Sequence, residues 1–156
     1  MVKDQDTMWK NLQANLDLEN IDMKNSFNGK LEPRPTGCSL AKMCSTVEFP
    51  ALDWELNQAG QVHGGILCTM FDISAGSLAK TLNEVKFNPT ISIDVKFLRP
   101  AMHGDTVIIN TKVNANGRTL AHMYAEASSK ETGKILATAV AVFMNKDTRR
   151  TEGENK

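Results

Sequence analysis

Residues 57–81 read NQAGQVHGGILCTMFDISAGSLAKT, and the fold depends on whether the apolar run inside them is a core helix or a membrane span. From Val62 to Ala79 the only charged side chain is Asp72, with His63 counted as neutral. The run barely reaches spanning length, and Asp72, two serines, three glycines and Thr69 dilute it. It therefore reads as the buried central helix of a globular domain. A carboxylate in such a helix needs a partner or a task, because stripping it of water is costly.

The start of the helix offers a task. HGG places the backbone N–H groups of Gly64 and Gly65 in the first turn, where they lack intrahelical acceptors and carry partial positive charge. Glycine lets another molecule approach that backbone closely, so the turn can hold a carbonyl or a developing oxyanion. Gly65, Thr69, Asp72, Gly76 and Ala79 share one helical face, small except at Asp72. Tight helix–sheet packing explains the small residues equally well, but not the carboxylate. Gly64 and Asp72 lie about 12 Å apart along a helix, too far to act on one atom. If both serve one reaction, they come from different subunits of a two-fold dimer with antiparallel central helices.

Outward from the helix, ISIDVKF (91–97) alternates Ile91, Ile93, Val95 and Phe97 against Ser92, Asp94 and Lys96, the period of a half-buried strand. RPAMHGD reads as a turn and TVIINTKV as a strand. Asn116-Gly117 signals a hairpin because both residues tolerate positive φ. LAHMYAEAS and ILATAVAVFM follow as strands, the last more deeply buried. Upstream, CSLAKMCSTVEF (38–49) reads as a first strand, NSFNGKLEPRPTG (25–37) as a linker, and Met8, Leu12 and Leu16 mark a short amphipathic helix. Short connections imply antiparallel neighbours. The expected class is α+β, an antiparallel meander wrapped around one long central helix covered on all sides. The expected organisation is an N-terminal helix and linker at 1–34, the main domain at 35–145 and a disordered polar tail at 146–156.

The chain has 156 residues and zero formal net charge, one domain's length without a charge for broad capture of nucleic acid or an anionic membrane surface. Cys38, Cys44 and Cys68 show no CxxC spacing, which argues against a zinc or disulfide framework and fits a reducing compartment. Cys68, one turn before Asp72, has no clear base and reads as a small core thiol. The polar N-terminus, MVKDQDTMWK, fits neither a secretory signal nor a presequence, so a cytoplasmic protein without membrane insertion is expected. The three histidines lack ligand-like spacing, and no metal or separate cofactor is expected.

The ordered set N-x5-HGG-x7-D, SIDVKFLRPA-x2-GD and GRTLAHMYAEA resembles the hotdog-fold acyl-CoA thioesterases of the PaaI and THEM2-like branch, over roughly residues 35–145. The resemblance implies a hotdog fold and hydrolysis of acyl-CoA to free acid and CoA, with CoA as part of the substrate. It matches Gly64 to the N–H that polarises the thioester carbonyl, with Gly65 beside it. Asp72 matches the carboxylate acting as general base or nucleophile, and Asn57 a side chain that places the thioester or the water. His63 matches a supporting residue and Ser92 a hydroxyl that positions water across the interface. Asn57, His63 and Gly64 would come from one subunit, Asp72 and Ser92 from its partner, in a homodimer that can pair into a tetramer. The GRT turn, through Arg118 and Thr119, is the candidate contact for the CoA phosphates.

Plainer roles exist for several of these: a turn for Asn57 and His63, exposure for Ser92, a solvated hairpin for Arg118. A dehydratase or hydratase on the same fold would call for an Asp-x4-His pairing, which is not found. A non-catalytic acyl-CoA-binding or regulatory domain is the second alternative. It gives little reason for Asp72 beside an oxyanion-type helix start.

Overall fold

The computed structural model describes residues 1–17 and 25–145. Its elements are α1 (Gln5–Asp17), β1 (Arg34–Ser39), β2 (Cys44–Pro50), α2 (Gly64–Asn83), β3 (Thr90–Phe97), β4 (Thr106–Asn116), β5 (Leu120–Ser129) and β6 (Ile135–Met144), with short 3-10 turns at Gly29–Leu31 and Asp53–Glu55. The six strands form one antiparallel sheet in the order β1-β2-β4-β5-β6-β3. The central helix of the expectation is α2. It packs against β2 to β6 on one side and against α1 on another, burying Leu67, Met70, Phe71, Ile73, Leu78 and Leu82.

Cover on all sides is not what α2 receives. Gly65 is exposed, and Cys68, Thr69, Asp72 and Gly76 are only half-buried, leaving an open stripe, whereas Ala79 faces the core. Among the described residues no helix is long and apolar enough to cross a membrane.

The expected single first strand is a hairpin instead. β1 and β2 flank a turn at 40–43 in which Met43 takes a left-handed conformation. The clamp on this turn comes from far away: Gln5 of α1 accepts the Leu40 N–H at 2.8 Å and donates to the Cys38 carbonyl at 3.1 Å. β1 also claims Arg34 to Gly37 from the expected linker, and Leu31 before it is fully buried with Leu12 and Leu16. Pro35 is tolerated because β1 is an edge strand, irregular between Pro35 and Gly37. The expected disordered tail at 146–156 and residues 18–24 of the expected N-terminal segment at 1–34 lie outside the described residues.

β3 differs most from a simple meander. Among the described residues its only ladder is with β6, at the edge opposite β1. The connection 98–105 crosses the ends of β6 and β5 to reach β4, about 14 Å at strand spacing, well within its reach of about 27 Å. Leu98 and Arg99 both donate to the Leu136 carbonyl, and Val62 donates to that of Ala101, so other elements hold the crossing in place. As an edge strand β3 leaves Ile91 and Phe97 more than half exposed at 52% and 55%. The sheet's outer face is likewise open at Val140 of β6, so β6 is buried on one face only.

The β4–β5 hairpin forms as expected, but neither Asn116 nor Gly117 has positive φ. The Gly117 N–H closes it on the Leu120 carbonyl at 2.9 Å, and Asn145 braces it, donating through Nδ2 to Asn116 Oδ1 at 2.8 Å and the Gly117 carbonyl at 2.7 Å, while its Oδ1 accepts from Asn83 Nδ2 at 2.9 Å. One buried amide thus ties the end of α2 to the hairpin and to the end of β6. Asn145→Leu leaves these partners unpaired and should cost about 2–3 kcal/mol, read as a lower urea midpoint at unchanged slope.

Candidate active site

The segment before α2 is a small hairpin. Leu56 bridges Val62, Asn57 N–H donates to the Gln61 carbonyl at 2.7 Å, and His63 N–H donates to the Glu55 carbonyl at 2.8 Å. Asn57 Oδ1 is occupied inside this turn, accepting from Ala59 and Gln61 N–H. His63 is the N-cap of α2, and its Nδ1 accepts the Gly65 N–H at 2.9 Å. Gly65 is therefore committed, whereas the Gly64 N–H has no acceptor among the described residues. Asn57 and Gly64 line one cavity of about 350 Å³ with Phe97 and Leu98. A Cβ at Gly64 would come within 3.3 Å of Phe97 Cζ, so the ring lies close against the glycine and would have to shift slightly to admit a side chain there.

Asp72 lies further along the same helix and opens into a second cavity, of about 260 Å³. It is half-buried, not fully desolvated. Thr90 Oγ1 donates to Asp72 Oδ1 at 2.7 Å, which orients the carboxylate and leaves Oδ2 without a bond among the described residues. Thr90 was missed in the sequence. Its signal was a hydroxyl two positions before Ser92, but a bulge between Thr90 and Ser92 breaks the simple alternation. Ser92 itself is exposed and pairs with Val142, in the register row of Asp94 and Lys96. Within one chain Asn57, His63 and Gly64 are thus together, Asp72 has Thr90, and Ser92 is apart from both groups. Arg118 and Thr119 are exposed on the β4–β5 hairpin and line neither cavity. Cys68 is half-buried, and burial pushes its thiol up, against a nucleophilic role.

Glu55 is a second residue the sequence did not single out. It is 1% exposed, accepts the Leu52 N–H at 3.1 Å through Oε2, and has no partner for Oε1 among the described residues. Burial pushes its carboxyl up from 4.5 to about 7, with Glu32's charge adding to the rise and the Leu52 bond opposing it. Nothing in ALDWELN distinguishes this acid from exposed Asp53.

Residues 59–136 match the thioesterase superfamily, half of the chain, and the chain belongs to that superfamily. It is 31% identical over 92 residues to acyl-coenzyme A thioesterase 13 of Mus musculus, covering 58% of this chain and 64% of that protein. The match thus spans less than two-thirds of that relative's length. The phenylacetic acid degradation-related protein of Ralstonia eutropha superposes with TM-score 0.73 and 27% identity, covering 86% of this chain and 98% of that one. Thioesterase superfamily member 2 from Mus musculus does so with TM-score 0.75 and 19% identity, over 92% of this chain and 100% of that one. The fold is the hotdog fold.

The Glu55 carboxyl binds its proton more tightly folded than unfolded. Its stabilising contribution is therefore full below about 4.5 and is lost as pH rises through about 7. Glu55→Gln keeps an acceptor for Leu52 without the titration. Its melting temperature relative to wild type should rise by several degrees between pH 5 and pH 8, and an equal offset at both pH values contradicts a buried, protonated Glu55.

Proposed function

We propose that the protein hydrolyses acyl-CoA thioesters to free acid and CoA at the interface of a two-fold homodimer. The observation that carries this reading is the division of labour along α2. The Gly64 N–H is open while its neighbour's is capped by His63, and about 12 Å further on Asp72 is oriented by Thr90 with one oxygen free. An antiparallel partner helix crossing near Cys68 brings Gly64 of one chain opposite Asp72 of the other. The open stripe on α2 and the exposed apolar edge of β3, with Ile91, Phe97 and Leu98 each more than half exposed, are surfaces that such a dimer would cover.

In this arrangement the Gly64 N–H polarises the thioester carbonyl and stabilises the oxyanion that forms from it. Asp72 of the other subunit removes a proton from the attacking water or attacks the carbonyl itself. Thr90 holds the carboxylate's rotamer. Asn57 places the thioester or the water, and its amide nitrogen is the free end of a side chain otherwise pinned in the turn. His63 acts by fixing Gly65, so that the helix start presents Gly64. Superfamily membership supports hydrolysis over binding alone, as does a lone carboxylate on a helix that is otherwise apolar or small from Val62 to Ala79.

The test is CoA release across acyl-CoAs from acetyl to palmitoyl plus phenylacetyl, for wild type and Asp72→Asn, after sedimentation shows equal assembly. The variant should lose about 10² or more in kcat on whichever substrates wild type turns over. Binding without CoA release by wild type makes the protein a non-catalytic acyl-CoA-binding module.

A further inference from the structure

We infer that Lys80 and Lys86 form the anion-binding end of the Asp72 cleft and take a phosphate on the carrier arm of the thioester. The inference rests on the proposed thioester chemistry at Asp72 and adds the direction in which the substrate leaves that residue. Asp72, Lys80 and Lys86 are the charged side chains of the cleft's lining. The cleft therefore carries a net positive charge although a carboxylate sits at its inner end. Some exposed cations elsewhere pair with a carboxylate, Lys96 with Asp94, Lys130 with Glu48 and Arg34 with Glu32, while others among the described residues, such as Lys42 and Lys112, do not, so what sets Lys80 and Lys86 apart is their shared place on the cleft wall. Lys80 and Lys86 pair with no carboxylate among the described residues. Two of the three amides in the lining are committed, Asn15 Nδ2 to Thr81 Oγ1 at 2.9 Å and Asn88 Nδ2 to the Gly76 carbonyl at 2.8 Å. Two unpaired ammonium groups in a cleft with fixed walls are matched by an anionic ligand.

The dimensions fit an arm, not a whole nucleotide. About 260 Å³ falls below the roughly 300–1,000 Å³ of pockets that enclose a drug-sized ligand. Lys80 lies about 12 Å beyond Asp72 along the helix, the length scale of an extended pantetheine. In the proposed dimer, with its axis near Cys68, Lys80 is about 18 Å from the crossing, at the rim where a long substrate must emerge. Phosphate at that point is common to CoA and to the phosphopantetheine of an acyl carrier protein.

The experiment compares wild type with Lys80→Gln/Lys86→Gln on one acyl group carried by CoA, by carrier protein, and by phosphate-free N-acetylcysteamine. The discrimination in favour of the phosphate-bearing thioester should fall about tenfold through KM, and added salt should erode it in wild type more than in the variant. Loss confined to acyl-CoA identifies CoA as the source of the phosphate, and loss confined to the acyl carrier protein identifies the carrier. An equal KM shift on all three thioesters overturns the inference. Titration with CoA alone separates this outcome from the fate of the hydrolytic reading. If no thioester is hydrolysed yet the variant binds CoA about tenfold more weakly, the anion site stands and hydrolysis falls. If thioesters are hydrolysed and neither CoA affinity nor the KM for either phosphate-bearing thioester differs between the two proteins, the lysine assignment falls. Equal melting temperatures establish that the variant is folded.

Discussion

Everything in this molecule is arranged around the burial of α2. A helix of twenty residues with so few charges cannot remain in water, and each large apolar side chain it buries contributes about 1.5–3 kcal/mol. Leu67, Met70, Phe71, Leu78 and Leu82 face the sheet or α1, which fixes the helix in rotation as well as position. Fixed rotation is what makes a site possible. It decides that Gly64 opens beside Phe97 and that Asp72 meets Thr90. The sheet supplies the cover, and α1 adds more from the other side through Leu12 and Leu16.

Two carboxyl groups show how the same fold handles charge in opposite ways. Asp72 is on the stripe that nothing covers, so it keeps access to solvent and has one hydroxyl partner. Glu55 is enclosed under the hairpin that leads into α2, with Glu32 adding a like charge, and it is driven toward the neutral form. One acid stays half-buried, with one oxygen held by Thr90. The other is a structural element whose backbone carbonyl receives the His63 N–H and so sets the start of the helix. Between them run Asn57 and His63, whose acceptor atoms are already spent on local turns. Pre-organisation of this kind removes freedom from the site before any substrate arrives.

Much of this could be read from the residues. The apolar run with its single carboxylate, the HGG start, and the strands that became β4, β5 and β6 were all visible because their signals are local. The hairpin of β1 and β2 was not, since its turn is clamped by Gln5 some thirty residues earlier and no periodicity reports that. β3 was recognised as a strand but given the wrong neighbour, because pairing is decided by where its ends can be anchored. Asn116-Gly117 predicted the right turn for the wrong reason: neither residue takes positive φ, and Asn145 braces the turn by side-chain bonding. Thr90 and Glu55 were missed because their importance lies in a bulge and in burial, neither of which a single residue announces.

The far-edge position of β3 has a consequence for how the chain is made. β3 leaves the ribosome soon after α2, but its only ladder partner among the described residues, β6, is the last of the six described strands to be synthesised, and Phe143 of β6 also walls the Asp72 cleft. Until that strand emerges, β3 has no ladder and the Thr90–Asp72 contact has no support. The nascent chain therefore carries α2 with its apolar surface partly bare through most of the synthesis of the sheet, the interval in which aggregation competes with folding. Completion of β6 closes the sheet and frames the cleft in the same event.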